Sequence, residues 1–280
     1  VEYYQTALDR GWMRDISPFF VKDSRKRVSG VKFLFNGWAK YDNHTLDQKW
    51  ADQIAAGLQI PLATALHRGR PVVLEGGAVD TNGAGDMLTT EECLLDEALQ
   101  TRNPGFTKRD YEACFKACLG IQNVLWLGAG IAGDDTHGHV DDICRFVNPS
   151  TVVFCREHNS NEVNYAVLEE NWERLQSARL HNGHRLEVIE LPMPSPLAFR
   201  GVRLPASYAN FYIANHLVLA PTFNDEHDRI ALGILGELFP DRRVIGIHAV
   251  DLLWGFGTLH CLSHEEPRQS LTASRGRTGG

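Results

Sequence analysis

Five short polar signatures recur along the 280-residue chain: Arg14-Asp15, Glu75-Gly76-Gly77, His139-Val140-Asp141, Asn210 and His260-Cys261. They fall about 50 to 70 residues apart, the length of one supersecondary unit. Acids, a histidine and a cysteine arriving once per unit converge if the units are set around an axis. Such a set suits attack on a cationic carbon. A guanidinium group is planar, protonated at neutral pH and presents N–H donors in a fork that carboxylates bind bidentately. Its central carbon is a poor electrophile. A thiolate supplies a strong nucleophile, and a histidine can protonate departing ammonia and then activate water.

The signatures differ in strength. Cys261 sits in Gly255-Phe256-Gly257-Thr258-Leu259-His260-Cys261, where glycines allow close backbone approach to a ligand. The run from Gly133 to Asp142 is the densest polar cluster and supports two readings. In one, His139 is an acid/base and Asp141 a guanidinium clamp, since residues i and i+2 of a strand share a face. In the other, His137, His139 and Asp141 form a dinuclear-type metal motif of a hydrolase. Glu75 ends an apolar run, so as a buried acid it needs a cationic partner. Arg14-Asp15 alone reads as a surface ion pair, and Asn210 as a structural asparagine.

The elements that must position these groups read as strand, strand, helix, strand, repeated. The first unit takes strands at Trp12–Val21 and Val31–Phe35, a helix at Thr45–Leu58 and a return strand at Ile60–Ala65. The second takes Val72–Leu74 and Met87–Thr90 around an Asn82-Gly83 turn, a helix at Lys108–Leu119 and Val124–Leu127. The third takes Val140–Val147, Thr151–Cys155, Glu162–Ala178 and Leu186–Leu191. The fourth takes Ala206–Ile213, Leu217–Ala220, Asp225–Phe239 and Val244–Ile247. A fifth starts at Val250, carries Cys261 and has no helix or return strand. An ordinary α/β sheet without symmetry is the simpler alternative.

Bulk properties narrow the partners. With 43% hydrophobic residues the chain can bury a large core. A net charge of −7 without a basic run argues against nucleic acid. No stretch approaches the 18 apolar residues of a membrane span, and Val1 to Arg10 does not have the shape of a signal peptide. Six cysteines without a C-x-x-C pair read as free thiols in a reducing compartment, which places the protein in the cytoplasm. Residues 1–268 are expected to form one catalytic domain, and 269–280 a disordered tail.

Taken together the signatures resemble the agmatine deiminase and bacterial peptidylarginine deiminase family, of the amidinotransferase-like pentein fold. The stretches that carry the resemblance are Trp12 to Phe19, Phe35-Asn36-Gly37-Trp38, Glu75-Gly76-Gly77, Thr89 to Leu95, Arg102-Asn103-Pro104, Gly133 to Asp141, Pro205 to Tyr212 and Leu259-His260-Cys261. The resemblance implies a five-bladed α/β propeller of ββαβ repeats, here with the fifth blade incomplete, because a family N-terminal segment is not in this sequence. It implies Cys261 as nucleophile, His139 as general acid/base, and Asp15, Glu75 and Asp141 around the guanidinium. Asp135 would reach a distal amine, Asn210 would shape the pocket wall, and Trp12 and Arg14 would lie on the substrate side. It implies no metal and no organic cofactor.

Two further departures bear on substrate. His137 stands where agmatine deiminases carry Asp, and Leu262 to Pro267 leans toward the T-H-E form of peptidylarginine-type members. The expected reaction is hydrolysis of a guanidino compound, by default agmatine, to its ureido product and ammonia. Arginine, a modified arginine or a C-terminal arginyl peptide are alternative substrates. A metal-dependent hydrolase and a non-catalytic pentein that binds a ligand or partner are the alternatives in kind. Whether the chain forms a homo-oligomer stays open.

Overall fold

A computed structural model of the protein describes residues 3–267. The chain is built from four units of one design. Each has an antiparallel pair of strands, then a crossover helix that returns a third strand parallel to the second, which leaves the second strand in the centre. The first unit comprises Phe19–Lys22, Val28–Lys32, the helix Trp50–Leu58 and Leu62–Thr64. The second comprises Val79–Thr81, Asp86–Thr90, Lys108–Leu119 and Asn123–Leu127. The third comprises Cys144–Asn148, Thr151–Arg156, Tyr165–Gln176 and Glu187–Pro192. The fourth comprises Tyr212–Ile213, Leu217–Thr222, Asp228–Leu238 and Arg243–His248.

Local chemistry explains the regular parts. In the second unit Thr107 caps the helix by accepting from Asp110 N–H, Asp110 returns the favour to Thr107 N–H at 3.0 Å, and Gly120 ends the helix at a φ of 74°. Tyr111, Cys114 and Phe115 form its buried stripe. The Asn82-Gly83 turn joins the first two strands of that unit, with Asn82 Oδ1 accepting from Ala84 and Asp86 N–H groups. Asn148 does the same for Ser150 and Thr151 in the third unit.

Neighbouring units share their cores. The helix of the third unit packs on the third strand of the second, and the helix of the fourth on the third strand of the third. One apolar cluster joins the third and fourth units through residues such as Phe154, Leu191, Phe211 and Leu235. A second cluster joins the first two through Leu74, Met87, Tyr111 and Phe115.

The strand readings fail where polar signatures begin. Trp12–Val21 is not one strand: Met13–Ile16 is a helical turn, and the strand starts only after Pro18. Val140–Asp142 is a 3-10 turn ahead of Cys144–Asn148, Val72–Leu74 gives only a single bridge from Val73 to Leu34, and Ala206–Ile213 is a strand at Tyr212–Ile213 alone. After the fourth unit the chain forms the short helix Val250–Leu253 and loops to Cys261. Among the described residues no fifth three-stranded sheet forms, and the expected tail at 269–280 lies outside them.

Candidate active site

The signatures meet where the units converge. Glu75 precedes the 3-10 turn Gly76–Ala78, and this turn packs against the Met13–Ile16 turn and the Val140–Asp142 turn. The glycines permit that approach. A Cβ on Gly76 would lie 2.1 Å from the Arg14 carbonyl oxygen, and one on Gly77 would lie 2.5 Å from His139 Nδ1. Gly77 N–H donates to Asp15 Oδ1 at 2.9 Å, and Trp38 Nε1–H donates to Asp15 Oδ2 at 2.9 Å. Among the described residues no lysine or arginine pairs with Asp15. Burial and the nearby Glu75 push its carboxyl up to about 7.

Asn210 is the hub of the cysteine loop. Its Oδ1 accepts from Thr258 Oγ1 at 2.6 Å and from His260 N–H at 3.1 Å, and its Nδ2 donates to Cys261 Sγ at 3.1 Å and to Asp142 Oδ1 at 3.0 Å. Arg145 fixes the backbone on either side of it by donating to the carbonyls of Ala209 and Phe211. Asp141 Oδ2 lies 3.8 Å from Cys261 Sγ and 2.7 Å from His260 Nδ1. Burial, then the charges of Asp141, Asp142 and Asp15, hold the Cys261 thiol well above its ordinary range. Burial also raises Asp141 and Asp142, and it lowers His139 and His260. A cation entering here would reverse the balance for the acids and the thiol together.

His139 is held by its loop, not by a strand. Asp134 accepts from Thr136, Gly138 and His139 N–H groups and turns the chain so that His137 and Gly138 take positive φ angles. His139 and Asp141 are therefore not aligned by strand periodicity. The His139 ring nevertheless lies between acids, with Nδ1 3.9 Å from Asp141 Oδ1 and 4.0 Å from Asp15 Oδ1. Its Nε2 is buried without a hydrogen-bond partner among the described residues, as are Glu75 Oε2 and Asp141 Oδ1. The cation Glu75 requires is Arg102, whose Nε donates to Glu75 Oε1 at 3.0 Å with both side chains fully buried.

A cavity of about 460 Å³ opens onto Cys261 and Asp15, walled by Trp12, Trp38, Tyr41 and Trp254. The Trp12 ring lies against Gly255 and Gly257, where an added Cβ would come within 3.0 Å of it. At the mouth Asp135 is already paired, with Lys40 Nζ at 2.6 Å and Tyr41 Oη at 2.7 Å. Arg14 does not reach this cavity. It faces a second one of about 430 Å³, where it pairs bidentately with Glu265 at 2.7 and 2.8 Å. From there it holds the cysteine loop from behind: Arg14 Nε donates to the His260 carbonyl, and Arg14 N–H to the Cys261 carbonyl.

The geometry does not support a metal at His137, His139 and Asp141. His137 turns away, with Nε2 2.8 Å from Asp96 and Nδ1 3.6 Å from Glu92. Among the described residues one trio, Glu75, Cys93 and His139, could close on a metal ion. Sequence reasoning did not single out Asp134, Asp142, Arg145 or Glu265, and Arg102 and Trp38 stood out only within motifs. Their signal was a charged or indole side chain beside an apolar run, which names no partner.

Known proteins resemble this chain along most of its length. An agmatine deiminase of Ectopseudomonas mendocina is 34% identical over 287 residues, which cover 95% of this chain and 77% of that protein. The structure of an agmatine deiminase of Enterococcus faecalis superposes with a TM-score of 0.85 at 31% identity, over 92% of this chain and 75% of that one. That of a putative arginine deiminase from Porphyromonas gingivalis gives 0.87 at 34% identity, over 95% and 77%. The family profile of the Porphyromonas-type peptidyl-arginine deiminases matches residues 1–267, and the chain belongs to that family.

Proposed function

We propose that the protein is an amidine hydrolase that converts a guanidino compound, agmatine first among candidates, to its ureido product and ammonia through an adduct on Cys261. The observation that carries this reading is a cavity that ends on a thiol beside buried acids, Asp15 and Asp141, which among the described residues have no lysine or arginine paired to them. A guanidinium supplies the missing charge. In its presence the carboxylates ionise and the Cys261 thiol becomes acidic enough to lose its proton.

The steps follow from the atoms at hand. Cys261 Sγ attacks the central carbon while Asp15 and Asp141 hold the guanidinium N–H groups. A C–N bond breaks, and the thiol proton, passed through His139, leaves with the nitrogen as ammonia. The thiouronium that remains is attacked by water with His139 as base. The C–S bond then breaks to give the urea and the free thiol, and the proton released converts ammonia to ammonium. Asn210 donates to the sulfur and orients it.

Agmatine as substrate is supported by the names of the relatives. The mouth of the cavity favours keeping arginine in view, because Arg10 lines it and could meet a carboxylate. Three quarters of the relatives' length is spanned here, and we read the four units as part of a five-bladed ring. Support comes from equivalent positions. Leu191, one residue before the end of the third unit's outer ladder, is fully buried, whereas its counterpart Ile247 in the fourth unit is 37% exposed. Ammonia release from agmatine, arginine, N-substituted arginine and arginyl peptides tests the reading. Turnover of one of them is expected, and release from none would end it.

A further inference from the structure

We propose that Glu75, Cys93 and His139 form a binding site for a soft divalent cation, zinc foremost, and that filling it switches the catalytic centre off. One ligand atom from each of the three, a carboxylate oxygen, a thiol sulfur and a ring nitrogen, lies within 4.8 Å of the others, and all three residues are buried. This is a donor set that zinc takes, with bond lengths of about 2.0 to 2.3 Å. Thiolate and imidazole together select it over magnesium or calcium.

Independent observations point to a ligand here. Glu75 Oε2 and His139 Nε2 are both buried, and among the described residues both lack a hydrogen-bond partner. Orphaned buried polar atoms are uncommon, and two on residues grouped around one thiol mark a place for a bound species. The surroundings fit a metal as well. Arg102 holds Glu75 by the other oxygen, Oε1, and leaves Oε2 directed and free. Asp15 and Asp141 lie on the Nδ1 side of the His139 ring, at 4.0 and 3.9 Å, and leave Nε2 as the nitrogen open to a metal. Zinc would displace the Cys93 proton to solvent, and the thiolate and the Glu75 carboxylate would then match its charge. Cys93 itself is fixed at the start of the short helix Glu91–Leu95, where its N–H donates to Thr90 Oγ1 at 3.1 Å.

The binding half of this proposal stands on geometry alone. The inhibitory half rests on the acid/base role proposed above for His139, because zinc would occupy the Nε2 lone pair. It is distinct from capture of the nucleophile, since Cys261 is not among the three ligands. The experiment is a calorimetric titration of zinc chloride, in a buffer that does not chelate, into the intact chain and its Cys261→Ser and Cys93→Ala variants. Ammonia release is measured on the intact and Cys93→Ala chains with and without zinc.

The intact and Cys261→Ser chains are expected to bind one zinc at this site, and magnesium to give no heat. Cys93→Ala should lose at least about tenfold in affinity, the loss that even an outer partner of a metal site produces. It should keep its turnover and resist zinc. Cys93→Ser, closer in shape, serves if the alanine chain does not fold. Zinc affinity unchanged in both Cys93 variants, or lost in Cys261→Ser, overturns the site. Zinc bound through Cys93 with ammonia release undiminished overturns the inhibitory half. If no guanidino compound is turned over at all, the proposed reaction fails while calorimetry still decides the site.

Discussion

Arg14 and Asp15 are neighbours in the chain and face different cavities, as do His260 and Cys261. Both cavities hold acids, but they are treated differently. Behind the cysteine loop Glu265 is clamped by Arg14, and this pairing holds its carboxyl down at about 2 although burial opposes it. Asp80 pairs with Arg145 on the same side, and there burial outweighs the arginine and leaves the carboxyl above its ordinary range. On the Cys261 side Asp15 receives only neutral N–H donors, and its carboxyl rises to about 7. Acids that brace the loop are given arginines. The acids that would receive a guanidinium are left without one, and folding bears the cost of their burial.

The largest effect that sharpens this contrast is at the sulfur. Cys261→Ser should lower kcat by about 10⁴-fold or more, the scale seen when a nucleophile is removed. The thermal midpoint should scarcely move, because serine keeps the shape of the side chain and can still accept from the Asn210 amide. A variant that still releases ammonia at the native rate would leave the Cys261 side without a chemical purpose.

Arg102→Met comes next, because Glu75 is the acid on the reacting side that does have an arginine. Both partners are fully buried, so removing one strands the other, at about 3 to 5 kcal/mol of stability. Urea denaturation measures it. A loss below about 1 kcal/mol would mean that Glu75 belongs with the unpaired acids.

Asp15→Asn tests the unpaired class itself. It keeps the shape and removes the charge a guanidinium would meet, so kcat/KM should fall roughly 10²- to 10³-fold. Stability should move the other way. The native carboxyl titrates near 7 and the unfolded one near its ordinary 3.8, so between those limits the unfolded chain has given up a proton that the native chain keeps. The native protein therefore loses stability as pH rises from about 4 to about 7, and the asparagine variant should lack that slope. For the same reason a bound cation expels the proton, and KM should fall as pH rises toward 7. Parallel urea midpoints for the two chains across this window would count against the assignment.

The second-unit helix, Lys108–Leu119, was legible to the residue, because Thr107, Asp110 and Gly120 mark its ends by local hydrogen bonds. The order of strands and helices was legible from apolar periodicity. What escaped depends on contacts far apart in sequence. Asn210 looked like the weakest signature and is the hub of the cysteine loop, since its amide acts on groups 48 to 69 residues away. His139 and Asp141 were read by strand periodicity, but Asp134 gathers the N–H groups ahead of them and converts the segment into a turn. Arg14-Asp15 looked like an exposed pair. Both side chains are buried, and each is turned toward a different partner. Glu75 fared best: its need for a cation could be stated in advance, although Arg102, 27 residues on, could not be named.

The smallest expected effect lies behind the loop, in Glu265→Gln. The amide keeps one hydrogen bond to Arg14 and loses the charge, and the Glu265 side chain is 42% exposed, so water screens the pair. The cost at neutral pH should be about 1 to 2 kcal/mol, because the buried Arg14 keeps a hydrogen bond but loses its counter-charge. Its pH dependence is opposite in sign to that of Asp15. Glu265 is held near 2 when native, below the ordinary 4.5, so its contribution is present above about 4.5 and is lost as pH falls toward 2. Turnover should drop only several-fold, through KM hardly at all and through kcat, because Arg14 would hold the carbonyls of His260 and Cys261 less firmly. Restoring the charge as Asp, one methylene shorter, should recover stability less well than it recovers the acid-side slope. If Glu265→Gln instead impaired guanidinium binding as strongly as Asp15→Asn does, the two cavities would have to be a single electrostatic site, and the division of labour between paired and unpaired acids would be wrong.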